Sequence, residues 1–499
     1  MPFVRKNLSA LPKWDPAILW YARGIAVMQL RPLNDPTSWR WQAGVHGFGP
    51  GNLEPGDPPI GNATIDRYLA QCQHGSWYFL PWHRGYLSAF ERIVRAAIAA
   101  IGTVEAKTAA KTWALPYWDL SKPNWRLIRE EFRVQTLPTG EDNPLYVAER
   151  NPGFITGNVG ITAKGVALDK ILKTPDFGGS GGGGGTGFGG PETDFFHGPG
   201  ALGALEGGIH NYVHGQVGGA DGFMSDFDHA GLDPLFWLHH CNIDRLWEVW
   251  RKRDSLHKNP ADPKWLNGPK TKKFRLYDQT GHEWMFTSSQ MADTNVQPLD
   301  FSYEDVSDPL PGVAIPGHLH GFAKAAPAST GIMAMFGKNR QIEVLGATTP
   351  GVSLGSGRQK ARVAFAAPKK TGAPGLKGFL GAKPKAERYL LNLENITGTR
   401  RGLSYAVYVN LPDDGDPETD EHHFVGMLNL FGVERASDPA DSHGGSGLTF
   451  VFDVTGLVRE EGVAITKPGA ISVDFVPENA DTPDNAAHVG RISLVRETA

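Results

Sequence analysis

Two sets of histidines in this sequence have the types and spacing to do metal chemistry. In LEGGIHNYVHG, His210 and His214 stand four residues apart, so a helix there puts both imidazoles on one face, about one turn apart. That spacing can chelate one metal ion. Downstream, LDPLFWLHHCNIDRLWEVW begins with an Asp-Pro helix start and carries Phe236, Ile243 and Trp247 at helical spacing. His240 falls on that apolar stripe, and His239 is turned from it by about 100°. A polar ring inside an apolar stripe needs a partner, and a metal ion is one. The first half of the chain repeats the arrangement. His83 follows Pro81 and shares a face with Tyr86, Leu87 and Phe90, His74 precedes it in QCQHG, and His46 sits among aromatic residues in WRWQAGVHGFG. Taken singly, each reads first as a satisfied core histidine. Together they form two similar sets, His46/His74/His83 and His210/His214/His240, and all-imidazole sets suit copper, zinc, iron or nickel, with copper(II) leading the affinity order.

The elements that must position these residues fall into two parts. A chain of 499 residues is too long for one core, which stops growing near about 250–300 residues, so two domains are expected. Residues 1–305 carry the helical patterns and most of the histidine. From about Gly331 to the end run short β-type segments, Gln341–Leu345, Arg362–Phe365, Arg388–Ile396, Leu403–Val409, His423–Leu430, Leu448–Val454, Ile471–Val476 and Ile492–Arg496, separated by Gly, Pro and Asp clusters. These predict an all-β sandwich over 331–499. The Pro- and Ala-rich stretch at 306–330 reads as a linker. The run GGSGGGGGTGFGG at Gly178–Gly190 is expected to be a mobile surface loop, since it has little side chain to bury against its ordering entropy. It lacks the Lys and Ser/Thr of a phosphate cradle.

Apolar residues make up 40% of the chain and charged residues 20%, enough for sizeable cores. A formal net charge of -4 gives no electrostatic case for nucleic acid or anionic lipid. Two cysteines, Cys72 and Cys241, cannot make the disulfide framework of a small secreted module. Without a secretory signal or a membrane-length apolar run, the chain is expected to be cytoplasmic.

The stretches WQAGVH, QHGSWYFLPWHRGYLSAFERI, WALPYWDL, HNYVH and DPLFWLHHCNIDRLW resemble, in order, the copper-A and copper-B regions of tyrosinases, catechol oxidases and hemocyanins, the type-3 copper proteins. The resemblance implies a mainly α catalytic domain with a four-helix-bundle dicopper core, followed by a jelly-roll-like β-sandwich. It implies two copper ions as cofactor, His46, His74 and His83 at copper A, and His210, His214 and His240 at copper B. In the family the second histidine of the HH pair is the ligand, which favours His240 over His239; helix phase alone leaves that choice open. Dioxygen and small phenols are the implied partners, with no nucleic acid and no membrane, and homo-oligomerisation is left open.

Further residues take roles by the same resemblance. CQH matches fungal and molluscan relatives that join this cysteine to the histidine ring, implying a Cys72–His74 thioether. Glu206 and Asn211 match a pair that fixes a water able to deprotonate an incoming phenol. Phe227, in MSDFDHAGLDP, corresponds to an aromatic gate above copper B. The segments YLLNLENITG, LSYAVYVNL, HHFVGMLNLFG, LTFVFDVTGL and AISVDFVPE resemble the C-terminal domain of plant and fungal polyphenol oxidases, where one side chain occupies the substrate position. An apolar side chain near Leu430 or Phe431 is the expected plug. Phe301-Ser302-Tyr303 departs from the family's Tyr-x-Tyr at the end of the catalytic domain. The implied activity is oxidation of o-diphenols to o-quinones with ortho-hydroxylation of monophenols; catechol oxidase, o-aminophenol oxidase and a hemocyanin-like oxygen carrier are the alternatives.

Overall fold

A computed structural model describes residues 3–158, 160–179, 183–198, 200–310, 340–348, 350–366, 387–440, 444–460, 468–479 and 481–498. Short polar side chains start three of the helices that build the site. Asp15 caps α1 (Pro16–Gln29) by accepting the Ala17 N–H, and Ser38 caps α2 (Trp39–His46) by accepting that of Trp41. α3 (Phe79–Ala100) and α4 (Asn211–Gly218) follow, and α5 (Pro234–Arg253) opens on Asp233, with proline in its first position. Every residue of α5 from Pro234 to Trp250 is buried, as is almost all of α3 to Val94. Helices buried all round form the centre of a bundle rather than its wall. α3 and α5 meet there, with the rings of Phe90 and Trp237 stacked at 3.4 Å.

The two ends of the helical part are tied beneath α3 and α5. β1 (Phe3–Arg5) pairs in parallel with β4 (Phe301–Tyr303), and the β2 (Phe274–Tyr277) and β3 (Glu283–Phe286) hairpin lies between them in sequence. Arg5 is fully buried; it donates to Glu91 at 2.9 Å and to the Tyr303 hydroxyl at 2.9 Å, and lies 3.5 Å from the Phe301 ring. Phe301 and Tyr303 therefore each hold the same guanidinium, one by its ring and one by its hydroxyl.

The C-terminal part is a sandwich of antiparallel strands. β10 (Phe424–Asn429), β9 (Ser404–Val409), β12 (Gly469–Pro477) and β7 (Gln359–Phe365) form one sheet in that order. The other runs β11 (Leu448–Asp453), β8 (Glu387–Gly398), β13 (Ala487–Thr498), β5 (Gln341–Ala347), with β6 (Val352–Leu354) also on β13. Alternate residues of both sheets, among them Leu391, Leu393, Val407, Val409, Val473 and Leu494, fill one core. All eight segments expected as strands are strands.

The glycine-rich run is not the free loop expected. Its described part, 178–179 and 183–190, is stapled in place: Phe188 is buried with its ring stacked on Trp250 at 4.6 Å, and the Gly183 carbonyl accepts from Asn392 of β8 at 2.7 Å. One aromatic residue and a cross-domain hydrogen bond outweigh the entropy of the glycines around them. Of the expected linker, residues 311–330 lie outside the described residues, as do His318 and His320. Among the described residues no helix is long and apolar enough to cross a membrane.

Candidate metal centre

The bundle brings all six predicted histidines together. His46 is the last residue of α2, His83 lies one turn into α3, His214 is in α4 and His240 is in α5, while His210 closes an irregular π turn, Glu206–His210, that leads into α4. His74 comes from no helix. It sits in the irregular segment before α3, where Gly75 adopts φ +57°, a left-handed conformation natural to glycine. All six rings are buried.

Each ring but one is oriented through its Nδ1. His46 Nδ1 donates to the Phe227 carbonyl at 3.1 Å, His83 to that of Phe79 at 2.8 Å and His214 to that of Met224 at 2.6 Å. His74 Nδ1 meets the Glu206 carboxylate at 2.8 Å, and His210 Nδ1 meets the Asn211 side-chain oxygen at 2.8 Å. Because a carbonyl or amide oxygen only accepts, His46, His83, His214 and His210 carry the proton on Nδ1 and turn an Nε2 lone pair inward. Burial and the neighbouring imidazoles hold His46, His74, His210 and His240 well below the usual histidine range. Burial also brings His83 to about 3 and His214 to about 4, partly opposed by the carbonyls they donate to. The rings are therefore neutral near pH 7.

The Nε2 atoms converge with little protein to satisfy them. His46 Nε2 and His74 Nε2 face each other at 3.2 Å, His214 Nε2 and His240 Nε2 at 3.3 Å, and among the described residues the buried Nε2 atoms of His83 and His210 have no hydrogen-bond partner. Buried ring nitrogens left without partners are unfavourable unless cations lie between them. Ligand atoms of His210, His214 and His240 lie within 4.8 Å of one another, as do those of His46, His83 and His240, so His240 stands between the sets. The donor set fits two metal ions held by imidazole nitrogen alone.

Neighbouring residues refine the sequence reading. His239 is as buried as His240, because α5 is covered on all sides, yet it belongs to neither ligand cluster. Phe227 is not above the second set. Its ring lies 4.7 Å from His74 and 5.4 Å from His46, because the loop carrying it also supplies the carbonyl that holds His46. The second set is covered instead by Phe431, stacked on His214 at 4.4 Å and lying 6.0 Å from His210. Cys72 Sγ lies 3.2 Å from His197 Nδ1 and within 4.8 Å of ring nitrogens of His46 and His74. Glu206 also accepts the Gly75 N–H, and burial raises its carboxyl to about 8 against the pull of the Gly75 and Gly203 N–H groups. His422 and His423 stay apart from the centre, beside Glu460 and Asp420.

Sequence reasoning missed the contacts that place Phe431. Asp226 and Asp228, on either side of Phe227, pair with Arg401 at 2.5 Å and Arg435 at 3.1 Å, and Arg401 also holds Glu434 at 2.5 Å. No local pattern links an Asp-x-Asp to arginines so far along the chain.

A bundle enclosing six buried histidines in overlapping ligand-competent groups defines a metal centre built mainly of imidazole. Residues 36–156 and 180–253 match the family model described as the common central domain of tyrosinase, and residues 341–497 match a domain described only as of unknown function. The chain is 30% identical to the tyrosinase HcTyr1 of Hahella sp. (strain CCB-MM4) over 519 residues, which takes in 99% of each chain. It is 28% identical to the latent form of the chloroplastic polyphenol oxidase of Prunus armeniaca over 61% of this chain and 49% of that one. Among solved structures it is similar to latent apple tyrosinase, with a TM-score of 0.61 and 20% identity over 99% of this chain and 97% of that one. This chain belongs to the tyrosinase family, and is a copper-dependent phenol oxidase with a type-3 dicopper site.

Proposed function

We propose that His46, His74 and His83 hold one copper and His210, His214 and His240 the other, and that the enzyme ortho-hydroxylates monophenols and oxidises o-diphenols to o-quinones. The observation that carries the ligand set is the convergence of six buried Nε2 atoms, four of them on rings whose Nδ1–H is donated outward to a carbonyl or amide oxygen. Copper bound there supplies the redox couple by which dioxygen takes electrons from a phenol. Two o-diphenols and one dioxygen balance as two o-quinones and two waters; a monophenol and one dioxygen balance as one o-quinone and one water.

The protein's own part is orientation and proton handling. The Phe79, Phe227 and Met224 carbonyls keep His83, His46 and His214 in the tautomer that leaves Nε2 free, and Glu206 orients His74 at Nδ1. Glu206 and Asn211 line a cavity of about 10 Å³, room for about one water, where a positioned water could take the proton of an arriving phenol. Full-length similarity to a tyrosinase supports the hydroxylating activity over diphenol oxidation alone. Assay of the copper-loaded protein with a monophenol, an o-diphenol and an o-aminophenol tests this: turnover of the diphenol but not the monophenol would reduce the activity to that of a catechol oxidase. Reversible oxygen uptake with no turnover would make it a carrier.

The covered state of the site favours a second reading, that the β-domain holds the enzyme latent. Phe431 and Phe227 close the same cavity, and a space of about 10 Å³ is far below the roughly 300 Å³ at which ligand pockets begin. The Arg401 and Arg435 pairs clasp the β-domain across the gap. Comparing diphenol turnover by the parent and by Phe431→Ala, both full-length and copper-loaded, tests the plug.

A further inference from the structure

The turn that leads into α4 carries both ends of the centre. Its first residue, Glu206, holds His74 through Nδ1, and its last, His210, is in the second set. Between them the backbone is irregular: Gly208 has ψ -117°, outside the helical range. The turn is closely packed: a Cβ on Gly208 would meet the terminal methyl of Ile171 at 2.6 Å, and one on Gly207 would meet Leu202 at 3.2 Å and Phe450 of β11 at 3.3 Å, so either would make its neighbours shift. An irregular turn of two glycines has little of its own to hold it.

Its support comes from the β-domain. The Asn429 amide, at the end of β10 and 1% exposed, donates to the Gly207 carbonyl at 2.8 Å and to the Gly208 carbonyl at 3.1 Å. Just before the turn, the Leu202 N–H donates to the Thr449 carbonyl at 3.2 Å and Thr449 donates back to Gly200 at 3.3 Å, so β11 grips the chain as a short parallel bridge. Two strands of the β-domain thus bind the segment that places Glu206 and His210.

We infer that Asn429 is a positioning residue for both coppers, and that the β-domain is part of the scaffold of the metal centre as well as its cover. The inference rests on the proposed histidine ligation. Asn429 fixes two carbonyls of the turn; the fixed turn sets Glu206 against His74 Nδ1 and aims His210 at the second site. The two roles sit two residues apart on one segment, Asn429 holding the centre and Phe431 covering it.

The test uses the copper-loaded full-length protein and its Asn429→Asp and Asn429→Ala variants, challenged with EDTA while copper per chain is followed by metal analysis. Asn429→Asp keeps the shape and removes both N–H donors; Asn429→Ala removes them without adding a charge, and carries the test if the first variant does not fold. Copper should leave both about 10- to 100-fold faster than the parent, the range typical of lost support to a metal ligand. The rise in Tm on copper loading should also shrink, because a ligand stabilises in proportion to its affinity for the folded state. A merely structural asparagine would lower the Tm of apo- and copper-loaded protein alike and leave that rise unchanged. Parent-like copper release with an unchanged rise in both variants overturns the inference. A parent that binds fewer than two coppers refutes the ligand assignment instead.

Discussion

The Phe431 ring of the β-domain lies 4.4 Å from the His214 ring, stacked at 29°. On the proposed ligation, a phenol approaching the second site would need that face. Phe431→Ala in the full-length protein should raise diphenol turnover, more for bulky catechols than for catechol itself, since the smaller substrate profits more from brief opening. Steady-state rates for both substrates check this; unchanged rates for both would leave the β-domain with no covering role.

The clasp beside that ring is electrostatic. Side chains of Arg401, Asp226, Arg435 and Asp228 are all partly exposed, so each pair contributes about 0–1 kcal/mol and is screened by salt. The parent should be activated several-fold by salt, and Arg401→Ala/Arg435→Ala should be more active at low salt and less salt-sensitive. Acid should act on Asp226, which burial would raise but which His229 and Arg401 bring down to about 2 from 3.8. A depressed carboxyl stabilises the closed state above its unfolded value and loses that effect as pH falls through its folded value. Opening through Asp226 therefore belongs between about pH 4 and pH 2, with Glu434, Asp228 and Arg435 as the other charges facing it. Limited proteolysis across that range reports it.

His240→Ala should lose copper and activity, and His239→Ala should keep most of its copper. His240 Nε2 faces His214 Nε2 at 3.3 Å and belongs to both ligand clusters; His239 belongs to neither. Copper per chain in the two variants decides between them, and equal loss would make the pair act together.

We expect a thioether between Cys72 and His74 in copper-matured protein. Cys72 is fully buried, and burial holds its thiol well above its ordinary range, so simple thiolate chemistry is suppressed; its Sγ lies within 4.8 Å of a His74 ring nitrogen. The S–C bond would replace one S–H and one C–H bond, with two electrons and two protons passing to dioxygen, so a peptide containing both residues should be lighter by two hydrogen atoms. Quantitative alkylation of Cys72 in the denatured matured protein would exclude the bond.

Glu206→Gln and Asn211→Ala should lower monophenol hydroxylation more than diphenol oxidation, by about 10-fold or more in the ratio, if the cavity they line holds the water that takes the phenolic proton. Both residues also hold histidines, so copper content must be matched. An unchanged ratio would confine them to orienting His74 and His210.

Much of this protein was legible in one dimension because its signals are local. The His210/His214 spacing, the Asp233-Pro234 start of α5 and the strand runs between turn clusters each depend on residues a few positions apart, and each appears where the sequence places it. Helix phase put His240 on the stripe of Phe236, Ile243 and Trp247 but did not decide between it and His239, for a physical reason: α5 is buried on every side, so burial marks no single direction as that of the centre. Tertiary structure alone decided what distant segments do to one another. It set Phe227 over His74 and His46, Phe431 over His214 and the Asn429 amide against the Gly207 and Gly208 carbonyls, and it packed Phe188 on Trp250 within a glycine-rich run. Such contacts depend on how two domains dock, and docking is set by the summed shape and charge of whole surfaces, which no short stretch of sequence carries.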